Sequence, residues 1–111
     1  MQLTMSTRSL EGVLIVDCSG RLVFGEESAR VRDTVKQLLA QSPKVVMNLR
    51  EVNYIDSSGV ASLVEGLKAS RDVGSRLILF GLSPIAREVL QLSRLLTIFE
   101  IYDTEEQALG A

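Results

Sequence analysis

Two continuous apolar runs, Val45-Val46-Met47 and Leu77-Ile78-Leu79-Phe80, constrain this chain more than any other feature. A strand with one wet face alternates apolar and polar residues. These runs leave neither side polar, which suits strands covered on both faces. Each is followed by a segment whose apolar residues recur at helical spacing, the pattern of a parallel sheet with crossover helices.

In chain order, Leu3 to Arg8 alternates loosely, as a short edge strand would. Leu10-Glu11-Gly12 reads as a turn and Val13 to Ser19 as a second strand bounded by Gly20, so the two should form an antiparallel hairpin. Arg21 to Gly25 is a mixed connection in which Val23 and Phe24 are apolar where a plain surface loop would be polar. Val31, Val35, Leu38 and Leu39 predict one face of a helix that starts at Glu26 and is ended by Ser42-Pro43. After the third strand, Val60, Leu63, Val64, Leu67 and Val73 predict the buried face of a second helix stopped by Gly74. Its opposite face is expected to carry Ala61, Ser62, Glu65, Lys68, Ala69 and Asp72, with Glu65 and Lys68 as a weak pair. Ser83-Pro84 starts a third helix, with Ile85, Val89 and Leu92 buried and Leu90 alongside. Ile98 to Tyr102 reads as a last strand, and Thr104 with Gln107 as the capping box of a C-terminal helix. The order β-β-α-β-α-β-α-β-α predicts an α/β fold in one domain, residues 1–111. Its sheet is expected to be mixed but mostly parallel, with five strands, four helices and the N-terminal antiparallel hairpin.

Composition removes several functions. The chain has no histidine and one cysteine, Cys18, which disfavours a zinc site and rules out a Ser–His–Asp hydrolase. A lone cysteine in an apolar strand also suits a buried residue in a reducing, cytoplasmic setting. The net charge of −2 gives nucleic-acid binding little electrostatic support. No apolar run is long enough to cross a bilayer. The glycines do not form a phosphate-cradling loop followed by Lys-Ser/Thr. No metal or cofactor is expected, and a small flavodoxin-like enzyme would have only Asp56 and Ser57 as a reactive pair, with no base to activate the hydroxyl.

The chemistry concentrates in Asn53-Tyr54-Ile55-Asp56-Ser57-Ser58-Gly59-Val60, between the Val45 strand and the second helix. Ser57 or Ser58 can cap that helix, with Asp56 favouring its positive end. Equally, one serine can be an exposed phosphoacceptor, because a phosphate at a helix N-terminus meets free N–H groups. These readings are compatible, and spacing alone leaves both open.

The run from Val45 through Asp56-Ser57-Ser58-Gly59 closely resembles the signature of the STAS family, the domain of anti-sigma factor antagonists and sulfate transporters. The likeness extends to Gly20-Arg21-Leu22, the helix carrying Leu63 and Val64, the Leu77 to Pro84 strand and turn, and Phe99 to Ala108. It implies a STAS-like fold and a binding switch without enzymatic activity. It also implies that Ser57, directly after the aspartate, is the phosphoacceptor. The implied partners are an anti-sigma factor that is also a serine kinase, whose sigma factor is released, and a PP2C-type phosphatase that resets the switch. The implied contact surface is Asp56, Ser57, Ser58, Gly59, Ala61, Ser62 and Glu65. Val23 stands where many antagonists carry an acid, with Glu26 and Glu27 following. A second reading within the family is a non-switching structural STAS subunit of a stress-signalling scaffold or lipid-transport complex.

Overall fold

The computed structural model describes residues 3–111, which form one five-stranded sheet in the order β1-β2-β3-β4-β5 with four helices. The strands are β1 (Leu3–Leu10), β2 (Val13–Leu22), β3 (Lys44–Ile55), β4 (Arg76–Phe80) and β5 (Glu100–Tyr102). The helices are α1 (Glu26–Leu39), α2 (Ser57–Val73), α3 (Pro84–Leu92) and α4 (Glu105–Leu109). β1 and β2 pair antiparallel across Glu11-Gly12, both with positive φ, a geometry whose twist matches that of the flanking strands. Every later pair is parallel. The expected element order and mixed sheet are therefore observed.

The continuous apolar runs divide between two cores. Val45, Met47, Leu77 and Leu79 pack with Val31, Val35, Val60, Leu63, Leu67, Ala86 and Leu90 of α1, α2 and α3. Val46, Ile78 and Phe80 point the other way and pack with Ile15 and with Ala108 of α4. A polar residue at any of these positions would be buried on one side or the other, at a cost of roughly 1–3 kcal/mol without a hydrogen-bonding partner.

Several element boundaries differ from expectation, β1 for one reaching Leu10 instead of Arg8. Gly20 does not end β2, which runs on to Leu22, and β3 extends well past its apolar run to Ile55. Two register shifts explain both: Asp17 pairs with Asn48 but Ser19 with Glu51, and Gly20 pairs with Val52 but Arg21 with Tyr54. Each shift gives β3 one extra residue, so its buried side chains fall at Leu49, Val52 and Ile55, every third position instead of every second. At the first shift, the Asn48 side chain accepts a hydrogen bond from the backbone N–H of Arg50 at 3.0 Å. β5 is also shorter than expected, because Ile98 and Phe99 lie outside it.

The helix faces carry further corrections. In α2 the buried residues are Gly59, Val60, Ser62, Leu63, Gly66, Leu67 and Ser70, while Val73 is exposed. In α3, Ala86 and Leu90 are buried and Leu92 is 77% exposed. Ser83 caps α3 and Pro84 opens it, and Thr104 and Gln107 form the complete capping box of α4.

Candidate functional site

The site lies where β2 and β3 end and α2 begins. Asp56, with extended backbone, is the N-cap of α2. Its Oδ1 accepts the Gly59 N–H at 2.9 Å, and its Oδ2 accepts the Phe24 N–H at 2.9 Å from the β2–α1 loop. Its own N–H donates to the Leu22 carbonyl at 3.2 Å. One carboxylate thus joins the start of α2 to the connection before α1. Partial burial opposes its charge, but the N–H groups of Gly59, Phe24 and Ser58 outweigh that and hold its pKa below the usual carboxylate range. The cap is therefore Asp56, and not Ser57 or Ser58. Aspartate serves here as well as serine would, and it leaves both hydroxyls out of the cap.

Ser57 is the first residue of α2 and is exposed, while Ser58 is half-buried. α2 is 17 residues long with no acid in its first turn, so its capping Asp56 supplies negative charge at its positive end. Ser57, Ala61 and Glu65, four residues apart, share one exposed stripe. Glu65 pairs with Arg32 of α1 at 3.3 Å and not with Lys68.

Two of the expected contact residues face inward. Ser62 is 2% exposed and donates to the Gly59 carbonyl at 2.7 Å. Gly59 is buried where α2 meets β2, and a Cβ there would lie 2.4 Å from the Leu22 carbonyl oxygen. Both belong to a small-residue seam, with Gly66 and Ser70, along which α2 comes close to its neighbours. A reading by large apolar residues rotates the helix away from that seam, and so places Ser62 outside.

Val23 and Phe24, readable from sequence either as core or as an exposed contact pair beside the motif, divide: Val23 is half-buried and Phe24 faces solvent. The Phe24 side chain is 79% exposed and its backbone is tied to Asp56. The available signal was an apolar pair ahead of a glycine in a loop. Tyr54, also at the strand ends, is 45% exposed and stacks under the Arg21 guanidinium, 5.1 Å from the ring centroid. Cys18 is buried away from the site, and burial first, then the Asp17 charge, pushes its thiol up to about 12.

A five-stranded mixed sheet of this order, with Asp-Ser-Ser-Gly opening its second helix, defines a small α/β domain. The STAS domain profile matches residues 4–108, and the chain belongs to that family. It is 33% identical to the Bordetella bronchiseptica protein BtrV, provisionally named an anti-sigma factor antagonist, over all of this chain and 94% of that one. It is 30% identical to an anti-sigma F factor antagonist of Paenibacillus polymyxa, over 98% of this chain and 94% of that one. The fold also matches the Bacillus cell fate determinant SpoIIAA, solved unphosphorylated (TM-score 0.72, 22% identity, 96% of each chain) and phosphorylated (TM-score 0.72, 23% identity, 96% and 97%).

Proposed function

We propose that this chain is an anti-sigma factor antagonist: unphosphorylated, it binds an anti-sigma factor that is also a serine kinase, and so releases a sigma factor. Phosphorylation of Ser57 reverses the binding, and a PP2C-type phosphatase restores it. The setting is the cytoplasm. The names of the relatives from B. bronchiseptica and P. polymyxa support the antagonist role.

The observation that carries the switch is the position of Ser57. Its residue is exposed at the first position of a long helix, with the cap already filled by Asp56. A kinase can reach the hydroxyl without unwinding the helix. The product phosphate meets the positive end of the helix dipole, which tolerates it. It also adds about −1.5 to −2 charges next to the Asp56 carboxylate, so a partner seated there with an acidic or apolar surface is repelled. Docking then uses the exposed stripe of Ser57, Ala61 and Glu65, with Asp56 and Ser58 at its head. Gly59 and Ser62 support this surface from within.

The test is intact-mass measurement after incubation with the anti-sigma factor kinase and ATP. One added phosphate, absent from Ser57→Ala, is expected. No addition, or addition unchanged by Ser57→Ala, would overturn the switch.

A further inference from the structure

We infer that Phe24 is an apolar anchor of the docking surface, and that Asp56 is the positioning residue that fixes it relative to Ser57. This rests on the antagonist reading above and names a part of the surface that lies outside α2. Phe24 is the most exposed of the large hydrophobic side chains among the described residues, at 79%. The adjacent Val23 is half-buried, and Gly25, with φ of 110°, turns the chain directly into α1. The phenyl ring thus stands in solvent between a half-buried valine and a glycine whose backbone conformation other residues rarely adopt. An exposed phenyl ring contributes nothing to the core, whereas aromatic side chains buried at an interface are its strongest anchors.

What places this ring in the same surface as Ser57 is the carboxylate between them. One Asp56 oxygen holds the first turn of α2 through Gly59, and the other holds the Phe24 backbone, both at 2.9 Å. A protein seated over Ser57 therefore meets a ring whose position is set by the residue preceding that serine. The partner's complementary feature is an apolar pocket beside the part that receives the Ser57 hydroxyl. Asparagine at position 56 has a single acceptor oxygen. It can keep one of the two N–H groups but not both, and it remains a good cap.

The experiment measures the affinity of the purified anti-sigma factor of the same genome for wild type, Phe24→Ala, Phe24→Leu, Asp56→Asn and the Phe24→Ala/Asp56→Asn double variant. Phe24→Ala is expected to weaken binding roughly tenfold or more, with an unchanged melting temperature, and Phe24→Leu to recover part of the loss. Asp56→Asn should weaken binding in the wild-type background, and by clearly less once Phe24 is alanine. Phe24→Ala binding within twofold of wild type would overturn the anchor while leaving the antagonist reading intact. Full additivity of the two changes would overturn the positioning role of Asp56. Absence of binding by wild type itself would overturn the antagonist reading, and the anchor with it.

Discussion

Gly59 and Leu22 sit so close that a Cβ on the glycine would lie 2.4 Å from the Leu22 carbonyl oxygen and 2.8 Å from its Cγ. The start of α2 is thus pressed against the end of β2, and the exposed position of Ser57 depends on that contact. Gly59→Ala is expected to destabilise the fold by about 1–3 kcal/mol or more, because the nearest obstacle is backbone. Urea unfolding checks this, with Ala61→Gly on the exposed stripe as a comparison that changes only helix propensity.

Ser57→Asp separates binding from folding. Its side chain is exposed at the helix N-terminus, so stability should stay within about 0.5 kcal/mol of wild type. Anti-sigma factor binding, measured on the same sample by titration, should fall sharply. A variant that binds like wild type would argue against charge as the basis of the switch.

Acid should loosen the attachment of α4. Arg8 donates to Asp17 on β2 and to Glu105 in the first turn of α4. The guanidinium hydrogen bonds, partly offset by burial, hold both carboxyls below their ordinary values. A depressed folded pKa contributes stability that is present above the unfolded value and lost as pH falls through the folded one. The loss should therefore begin below about pH 4.5 and deepen with further acid. Arg8→Met should flatten that acid limb in thermal melts. The groups are partly exposed, so added salt should shrink the difference.

Cys18 should resist thiol reagents in the folded protein. Its thiol is buried and its pKa is raised to about 12, leaving little thiolate at neutral pH. Labelling by a disulfide reagent is expected to be slow without denaturant and to follow the unfolding transition when urea is added. Rapid labelling under native conditions would mean that the β2 core opens locally.

Loss of the Ser83 hydroxyl gives a smaller effect. Ser83 Oγ accepts the Ala86 N–H at 3.2 Å and donates to the Val52 carbonyl, tying α3 to β3. Ser83→Ala is expected to cost about 0.5–2 kcal/mol, visible as a lower urea midpoint.

Where side-chain chemistry acts locally, the sequence was a good guide. Ser83-Pro84 and Thr104 with Gln107 state their helix starts within four residues, and both occur as read. The paired cores were legible in Val45-Val46-Met47 because a run without polar residues has one explanation in a sheet. The end of β3 was not legible, since its two register shifts depend on a partner strand some thirty residues earlier. The same holds for α2. Periodicity of the large apolar residues gives one direction, but Gly59, Ser62, Gly66 and Ser70 mark where the backbone comes closest, and their own three- and four-residue spacing is passed over when only bulky apolar residues are counted. The turn is legible, but the cap is Asp56 where sequence offers either serine, and its bond to Phe24 joins residues that only the folded chain brings together.

The strand order β1-β2-β3-β4-β5 also bears on how the chain is made. Each strand is laid beside its immediate predecessor, so the emerging polypeptide need not hold open a gap for a later segment. A ribosome delivering the hairpin first supplies a template that each βα unit extends at one edge, with modest loop closures throughout. Growth ends on β5, three residues long and too short to invite another strand.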